Sequence, residues 1–196
     1  MQDTDRIGCL VMAAGNSTRY QGNKLAALFR GKPIAEYALD SVPADRFAAV
    51  TVVTQYPEIE ALARQHGFAV IRNEHPDWGI SHTIRLGTGA MQDCHAILYM
   101  VADQPLLRRE SVRAEVEFFR RHPDRIVAMG HGGVRGNPCI FPARFFPELT
   151  ALEGDRGGSA VIRRHEDALT LFEISPDELR DVDTPMALAA LRDTLA

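Results

Sequence analysis

At 196 residues, 45% of them apolar and 24% charged, the chain can bury one core and is too short for two domains of ordinary size, and its composition excludes a disordered or collagen-like polymer. A net charge of −4 excludes general attraction to nucleic acid or anionic lipid, so an anionic ligand must be held by a local group of basic residues. Three widely spaced cysteines, Cys9, Cys94 and Cys139, form no CxxC pair, the polar start MQDTDRIG is unlike a signal peptide, and no apolar run nears spanning length; together these predict a cytoplasmic protein without a membrane partner.

The first predicted strand is RIGCLVM, and it runs into VMAAGNSTRYQGNK, Val11 to Lys24. There Gly15 and Gly22 permit close approach, and the backbone N–H groups of Ala13, Ala14, Gly15, Asn16 and Ser17 can converge on an anion that Arg19 and Lys24 neutralise. The loop is neither GxxxxGK nor GxGxxG, and its alternative reading is a surface turn with solvated basic residues. Further strands are predicted at AAVTVVT, FAVIR, AILYMV, RIVAMG, PCIFP and LTLFEI, with a helix PEIEALARQHG that stops at Gly67. AILYMV runs through Ala102 to Asp103, a carboxylate placed to ligand magnesium or, alternatively, to cap the helix that begins near Arg109 or to make a plain turn. That helix, RESVRAEVEFFRRHP, sets Val112, Val116 and Phe119 on one face, and GHGGVRGNP reads as a loop between strands. Near the end, DVDTP precedes TPMALAALRDTL, with Thr184 as N-cap, Pro185 at the first helical position, and Asp183 either balancing the helix dipole or joining Asp103 on one metal ion.

Continuous apolar strands alternating with helices predict an α/β fold whose mostly parallel sheet is covered on both faces, with ligands beyond the carboxyl ends of its strands. Neither repeat nor linker divides the chain. The histidines lack zinc-ligand spacing and read as surface residues, while Trp78 reads as a packing residue or pocket wall.

These segments together resemble the MobA-like nucleotidyltransferase superfamily, most closely its molybdenum-cofactor cytidylyltransferase branch. AAGNSTRYQGNK is similar to the opening pattern A-A-G-x-S-x-R-[aromatic or Met]-G-x-x-K, with Gln21 where the first glycine is usual. NEHPDWGISHTIRLG, ADQPLL, GNPCIF and DVDTP look like four further segments in the family's order. LTALEGDRGGSAVI resembles a fifth, but Gly158 and Ser159 replace Ala-Arg. LGTGA, Leu86 to Ala90, also looks like a uridine-binding segment of sugar-phosphate uridylyltransferases, although the cytidylyltransferase register covers the region without a gap.

The resemblance implies one MobA-like domain over 1–196, with a Rossmann-like three-layer α/β/α fold and a twisted, mostly parallel sheet. It implies Mg2+ on Asp103 and Asp183, and Lys24, Arg19 and Asp103 as the catalytic set. The nucleotide would lie on Ala13, Ala14, Gly15, Asn16, Ser17, Arg19, Lys24, Ser81 and Thr83, Ser81 being equally readable as a helix cap. The acceptor would lie on Gly136, Pro138, Gly154 and Asp155, the last two equally readable as a loop and cap. The implied reaction transfers CMP from CTP to the phosphate of molybdopterin or molybdenum cofactor, releasing pyrophosphate and serving a molybdenum hydroxylase. Where the guanylyltransferase branch shows Gly-Gly this chain has Ala13-Ala14, which favours the smaller base by ~1–3 kcal/mol at most. Other expectations are a GTP-using guanylyltransferase, an enzyme for a sugar phosphate, and a non-catalytic nucleotide-binding cofactor chaperone.

Overall fold

Among the described residues, seven of nine strands join in one sheet of order β5-β4-β1-β6-β8-β7-β9: β1 Ile7–Ala13, β4 Ala49–Thr54, β5 Ala69–Arg72, β6 Ala96–Val101, β7 Ile126–His131, β8 Val134–Pro142 and β9 Leu169–Glu173. The computed structural model describes residues 6–17, 20 and 22–194. Six strands run one way and β8 alone runs against its neighbours β6 and β7. All seven segments predicted from β-branched and apolar runs are strands of this sheet.

One boundary differs from expectation. GHGGVRGNP is not a free loop: Gly132 and Gly133, with φ of 56° and 81°, make a two-residue turn, and pairing resumes at Val134. Positive φ at both central positions is what tight hairpins of right-twisted strands require, and glycine adopts it without strain. The β7–β8 hairpin follows from that turn and extends β8 by four residues ahead of the predicted PCIFP.

Alternation along the strands builds two cores. Cys9, Val11, Val52, Leu98, Met100, Val127 and Met129 face one side and meet α1 (Ile34–Asp40), α2 (Pro57–Gln65) and α4 (Arg109–Arg120). Leu10, Val53, Ile97, Tyr99, Ala128 and Phe141 face the other and meet α3 (Ile80–Ala90), α5 (Phe146–Thr150) and α6 (Gly158–Ile162). This is the three-layer arrangement expected of a parallel sheet buried on both faces. Val112, Val116 and Phe119 of α4 are buried as their spacing predicts, but so is Glu115, which shares that face. A short hairpin, β2 Leu28–Phe29 with β3 Lys32–Pro33, packs against α7 (Pro185–Thr194) through Phe29, Ile34, Val182, Leu188 and Leu191. Among the described residues no helix is long and apolar enough to cross a membrane.

Candidate active site

The carboxyl ends of β1 and β6 open into a cleft of about 320 Å3 lined by Ala13–Ser17, Lys24, Leu25, Pro76, Gly79, Ile80, Thr83, Ala102, Asp103 and Asp155. Asp103 lies just past β6, and Lys24 opens a short 3-10 turn whose cap is Asn23 Oδ1, accepting from the Leu25 N–H. The Lys24 ammonium donates to Asp103 Oδ2 at 2.5 Å and to Asp183 Oδ1 at 2.9 Å. Burial by itself lowers the lysine's pKa, but the Asp103 charge and the hydrogen bonds the ammonium donates to both carboxylates outweigh it and the net shift is upward. Lys24 is therefore a cation held between two acids.

Asp183 reaches this point because its segment is stitched to the loop after β6. Val182 N–H donates to Asp103 O at 2.9 Å, and Gln104 Nε2 donates to Leu179 O at 3.3 Å. Glu178 accepts from Arg108 twice, from its N–H at 3.0 Å and its guanidinium at 2.6 Å, and these bonds hold the Glu178 carboxyl below its ordinary range against the opposing effect of burial. Asp103 does not cap α4: its side chain faces Lys24, and Arg108 holds the N-cap position without a side-chain cap bond. Thr184 does cap α7, its Oγ1 accepting from Ala187 N–H. Asp181 completes an acidic group here: its side chain keeps water contact, yet local desolvation and then the Asp103 charge push it up to about 6.

The donor set fits a small divalent cation. Asp103 Oδ1 is buried and has no hydrogen-bond partner, while hard carboxylate oxygens from two separate segments converge on one point. Magnesium is commonly held by one or two carboxylates, the rest of its shell coming from water and phosphate. Among the described residues no cluster of three or more His, Cys, Asp or Glu adds a full protein cage.

The opening loop supplies the other wall. Ser17 holds a left-handed φ of 49°, uncommon for a residue with a side chain, and its Oγ is buried without a partner in the cleft. Arg19, expected to neutralise phosphate, lies outside the described residues. Thr83 lines the cleft and its Oγ1 accepts from Asn73. Ser81 does not line it: the residue is buried at the second position of α3, donates to Trp78 O at 3.4 Å, and borders a separate groove with Trp78, His82, Arg85, Glu153 and Gly154. Nor is Ser81 the cap of α3, a place held by Gly79. Gly79, at φ 81°, is required there because a Cβ would lie 2.4 Å from the Gly154 carbonyl; this contact brings Asp155 to the cleft.

A second cavity of about 180 Å3 shares Met12, Ile80 and Val101 with the first and continues over β8. Gly136 lines it together with Arg135, Asn137, Tyr99, Phe141 and Ser159, and Pro138 follows Asn137 through a cis peptide bond. Gly158 faces Phe141 so closely that a Cβ would lie 3.0 Å from the ring. Cys139 on its floor is no nucleophile, since burial above all pushes its thiol up to about 12. Sequence reasoning did not find Arg135, Glu178, Gln104 or Asp181. Only Asp181 left a local signal, as a second acid beside Asp183.

Comparisons with known proteins agree with this geometry. The sequence model of the MobA-like NTP transferase domain matches residues 9–169. The purine catabolism protein PucB of Bacillus subtilis is 26% identical over 187 residues, covering 89% of this chain and 90% of that protein. A 2-C-methyl-D-erythritol 4-phosphate cytidylyltransferase of Dehalococcoides mccartyi is 29% identical over 119 residues, which is 58% of this chain and 52% of the relative. The structure of Rv0371C of Mycobacterium tuberculosis in complex with manganese superposes with a TM-score of 0.81 at 20% identity, covering 96% of this chain and 99% of that one, and so has the same fold.

Proposed function

The chain belongs to the MobA-like NTP transferase domain family, and on that premise we propose that it transfers CMP from CTP to the terminal phosphate of a molybdopterin-type acceptor, with release of pyrophosphate. Nucleotidyl transfer is the family's chemistry. The finer reading rests on one observation above all: Lys24, Asp103 and Asp183 meet at the strand ends beside the glycine-containing loop.

In this reading the triphosphate lies against the N–H groups of Gly15, Asn16 and Ser17, with Arg19 as a further cation. Lys24 leaves the two carboxylates to meet the phosphates. An acceptor phosphate oxygen forms a new bond to the α-phosphorus as the bond from that phosphorus to the β-bridging oxygen breaks, and the electron pair departs with pyrophosphate. The protein needs no general base, because a phosphate nucleophile is largely ionised at neutral pH. Its contribution is to hold the two phosphates in line and to stabilise charge on the leaving group. A divalent ion such as Mg2+, held by Asp103 and Asp183, supplies further charge neutralisation when bound.

The second cavity is the proposed acceptor site, with Gly136 on its wall and Pro138 next in the chain after Asn137, while Gly154 sets the loop that brings Asp155 to the neighbouring cleft. In the second cavity the replacement of a family Ala-Arg pair by Gly158-Ser159 supports a second reading, an acceptor such as a sugar phosphate. A cytoplasmic setting and delivery to a molybdenum hydroxylase belong to the first reading. The test is calorimetric titration with CTP, GTP, UTP and ATP, with and without magnesium, followed by pyrophosphate release on adding molybdopterin cofactor. Metal-dependent preference for CTP and acceptor-dependent pyrophosphate support the proposal. GTP preference moves the chain to guanylyl transfer, and nucleotide binding with no pyrophosphate released on adding any phosphorylated acceptor leaves a nucleotide-binding chaperone.

A further inference from the structure

The loop that lines the cleft takes its hydrogen bonds from the corner where β4 ends and α2 begins. Thr54 Oγ1 donates to Ala13 O at 3.0 Å, Gln55 Nε2 to Ala14 O at 2.9 Å, and the Tyr56 hydroxyl to Gly15 O at 2.7 Å. Three successive side chains thus take three successive carbonyls. Gln55 Nε2 also donates to Asn16 Oδ1 at 3.0 Å, and Asn16 Nδ2 passes the chain of bonds on to Pro76 O at 3.3 Å.

Peptide planarity turns these bonds into an orientation. In a trans peptide the N–H points opposite to the preceding carbonyl, so tying the carbonyls of Ala14 and Gly15 to the corner aims the N–H groups of Gly15 and Asn16 away from it, toward the cleft that both residues line. Neither N–H donates to another described residue. They are free for an anion, and convergent N–H groups of this kind form anion-binding concavities.

The same corner reaches the far end of the loop. Glu58, in the first turn of α2, accepts from Asn23 Nδ2 at 2.7 Å, and Asn23 in turn caps the short helix that carries Lys24. Residues 54–58 therefore hold both the amide-bearing and the lysine-bearing ends of the loop.

We propose that Gln55 and Tyr56, with Glu58 at the far end, are positioning residues for nucleoside triphosphate binding: they hold the Gly15 and Asn16 N–H groups and Lys24 in the arrangement that a triphosphate needs. This rests on the reading of the cleft as a nucleotide site. The three residues act through the loop and make no contact with the reacting atoms.

The experiment compares CTP, titrated by calorimetry with magnesium, and cytidine, followed by chemical-shift titration, on wild type, Gln55→Met, Tyr56→Phe and Glu58→Met, the last of which removes the acceptor for Asn23. Gln55→Met keeps the side-chain length without a donor, and Tyr56→Phe removes one hydroxyl, so at least the latter leaves the fold intact by its melting curve. Each lost bond should raise the CTP dissociation constant about three- to tenfold, the usual worth of one hydrogen bond, while cytidine moves less than about twofold. Unchanged CTP affinity in all three variants overturns the proposal. So does an equal loss for CTP and cytidine, which is what general damage to the pocket produces. If wild type takes another triphosphate best, the same comparison is made with that triphosphate and its nucleoside. A wild type that binds none of CTP, GTP, UTP or ATP defeats the nucleotide reading itself, a result distinct from the other two because it appears before any variant is made.

Discussion

Among the described residues, two carboxyl groups have buried oxygens without a hydrogen-bond partner, and they lie in opposite settings. Asp103 stands at a strand end, with one oxygen on the Lys24 ammonium and the other, Oδ1, unpartnered beside the cleft. Glu115 stands on the apolar face of α4, fully buried, with both oxygens unpartnered. Burial pushes the Glu115 pKa well up, and the Met129 backbone offsets this only in part, without reaching hydrogen-bond geometry. Asp103 has a cation and open space beside it. With neither, Glu115 lowers its cost by keeping its proton. The contrast shows that an orphan polar atom marks function only where a charge partner and access accompany it.

The contrast breaks most visibly through Asp103→Asn. Turnover, read as pyrophosphate release, should fall by about three orders of magnitude, the several kcal/mol that a bound metal ion contributes, with the melting temperature nearly unchanged. An active Asp103→Asn enzyme would falsify the metal assignment.

Lys24→Met should act in two directions. CTP binding weakens by about ten- to a hundredfold with the lost charge-assisted bonds, while Mn2+ alone, followed by its paramagnetic resonance, binds tighter by about tenfold because the competing ammonium is gone. Mn2+ affinity equal to wild type would separate Lys24 from the cation site.

Glu115→Gln sharpens the other side. Below pH of about 4, where the unfolded carboxyl is also protonated, variant and wild type should be equally stable. As pH rises the unfolded state ionises and the folded state does not, so the wild type loses stability until its own raised pKa is passed. By pH 8 urea unfolding should favour the variant by ~1–2 kcal/mol or more, and a gap independent of pH would show that Glu115 is ionised in the fold.

The smallest effect belongs to Glu178→Gln. The bonds from Arg108 hold the Glu178 carboxyl down, so its stabilisation is present above the unfolded value of about 4.3 and is lost as pH falls through the lower folded value. Its partner guanidinium is largely exposed, so the loss at pH 7 should be only about 2 °C in melting temperature, vanishing in acid. A drop of ten degrees would mean that this pair holds the whole segment around Asp183.

Much of the fold was legible because its signals are local. Strands such as AAVTVVT and AILYMV are short runs of apolar and β-branched residues, and α4 carries its core face at helical spacing. Asp103 and Lys24 were legible for the same reason, each following directly from a strand or a glycine-containing turn. Ser81 was misread as a cleft residue because one helical position decides which side of α3 a side chain faces, and the contact of Gly79 with Gly154 sets that position. Gln55, Tyr56 and Glu58 gave no signal, since in sequence they are an ordinary strand end and helix start.

Local chemistry in the sequence thus determined where strands and helices form, where each strand stops, and which acids and bases stand at those stops. The tertiary structure alone decided that β8 runs against its neighbours, that Lys24 meets an acid 159 positions away in Asp183, and that the β4–α2 corner holds the opening loop. The physical reason is range. Helix and strand periodicities are written within a turn or a pair of residues, whereas contacts between distant segments are set by the burial of two whole cores, which no single stretch of sequence contains.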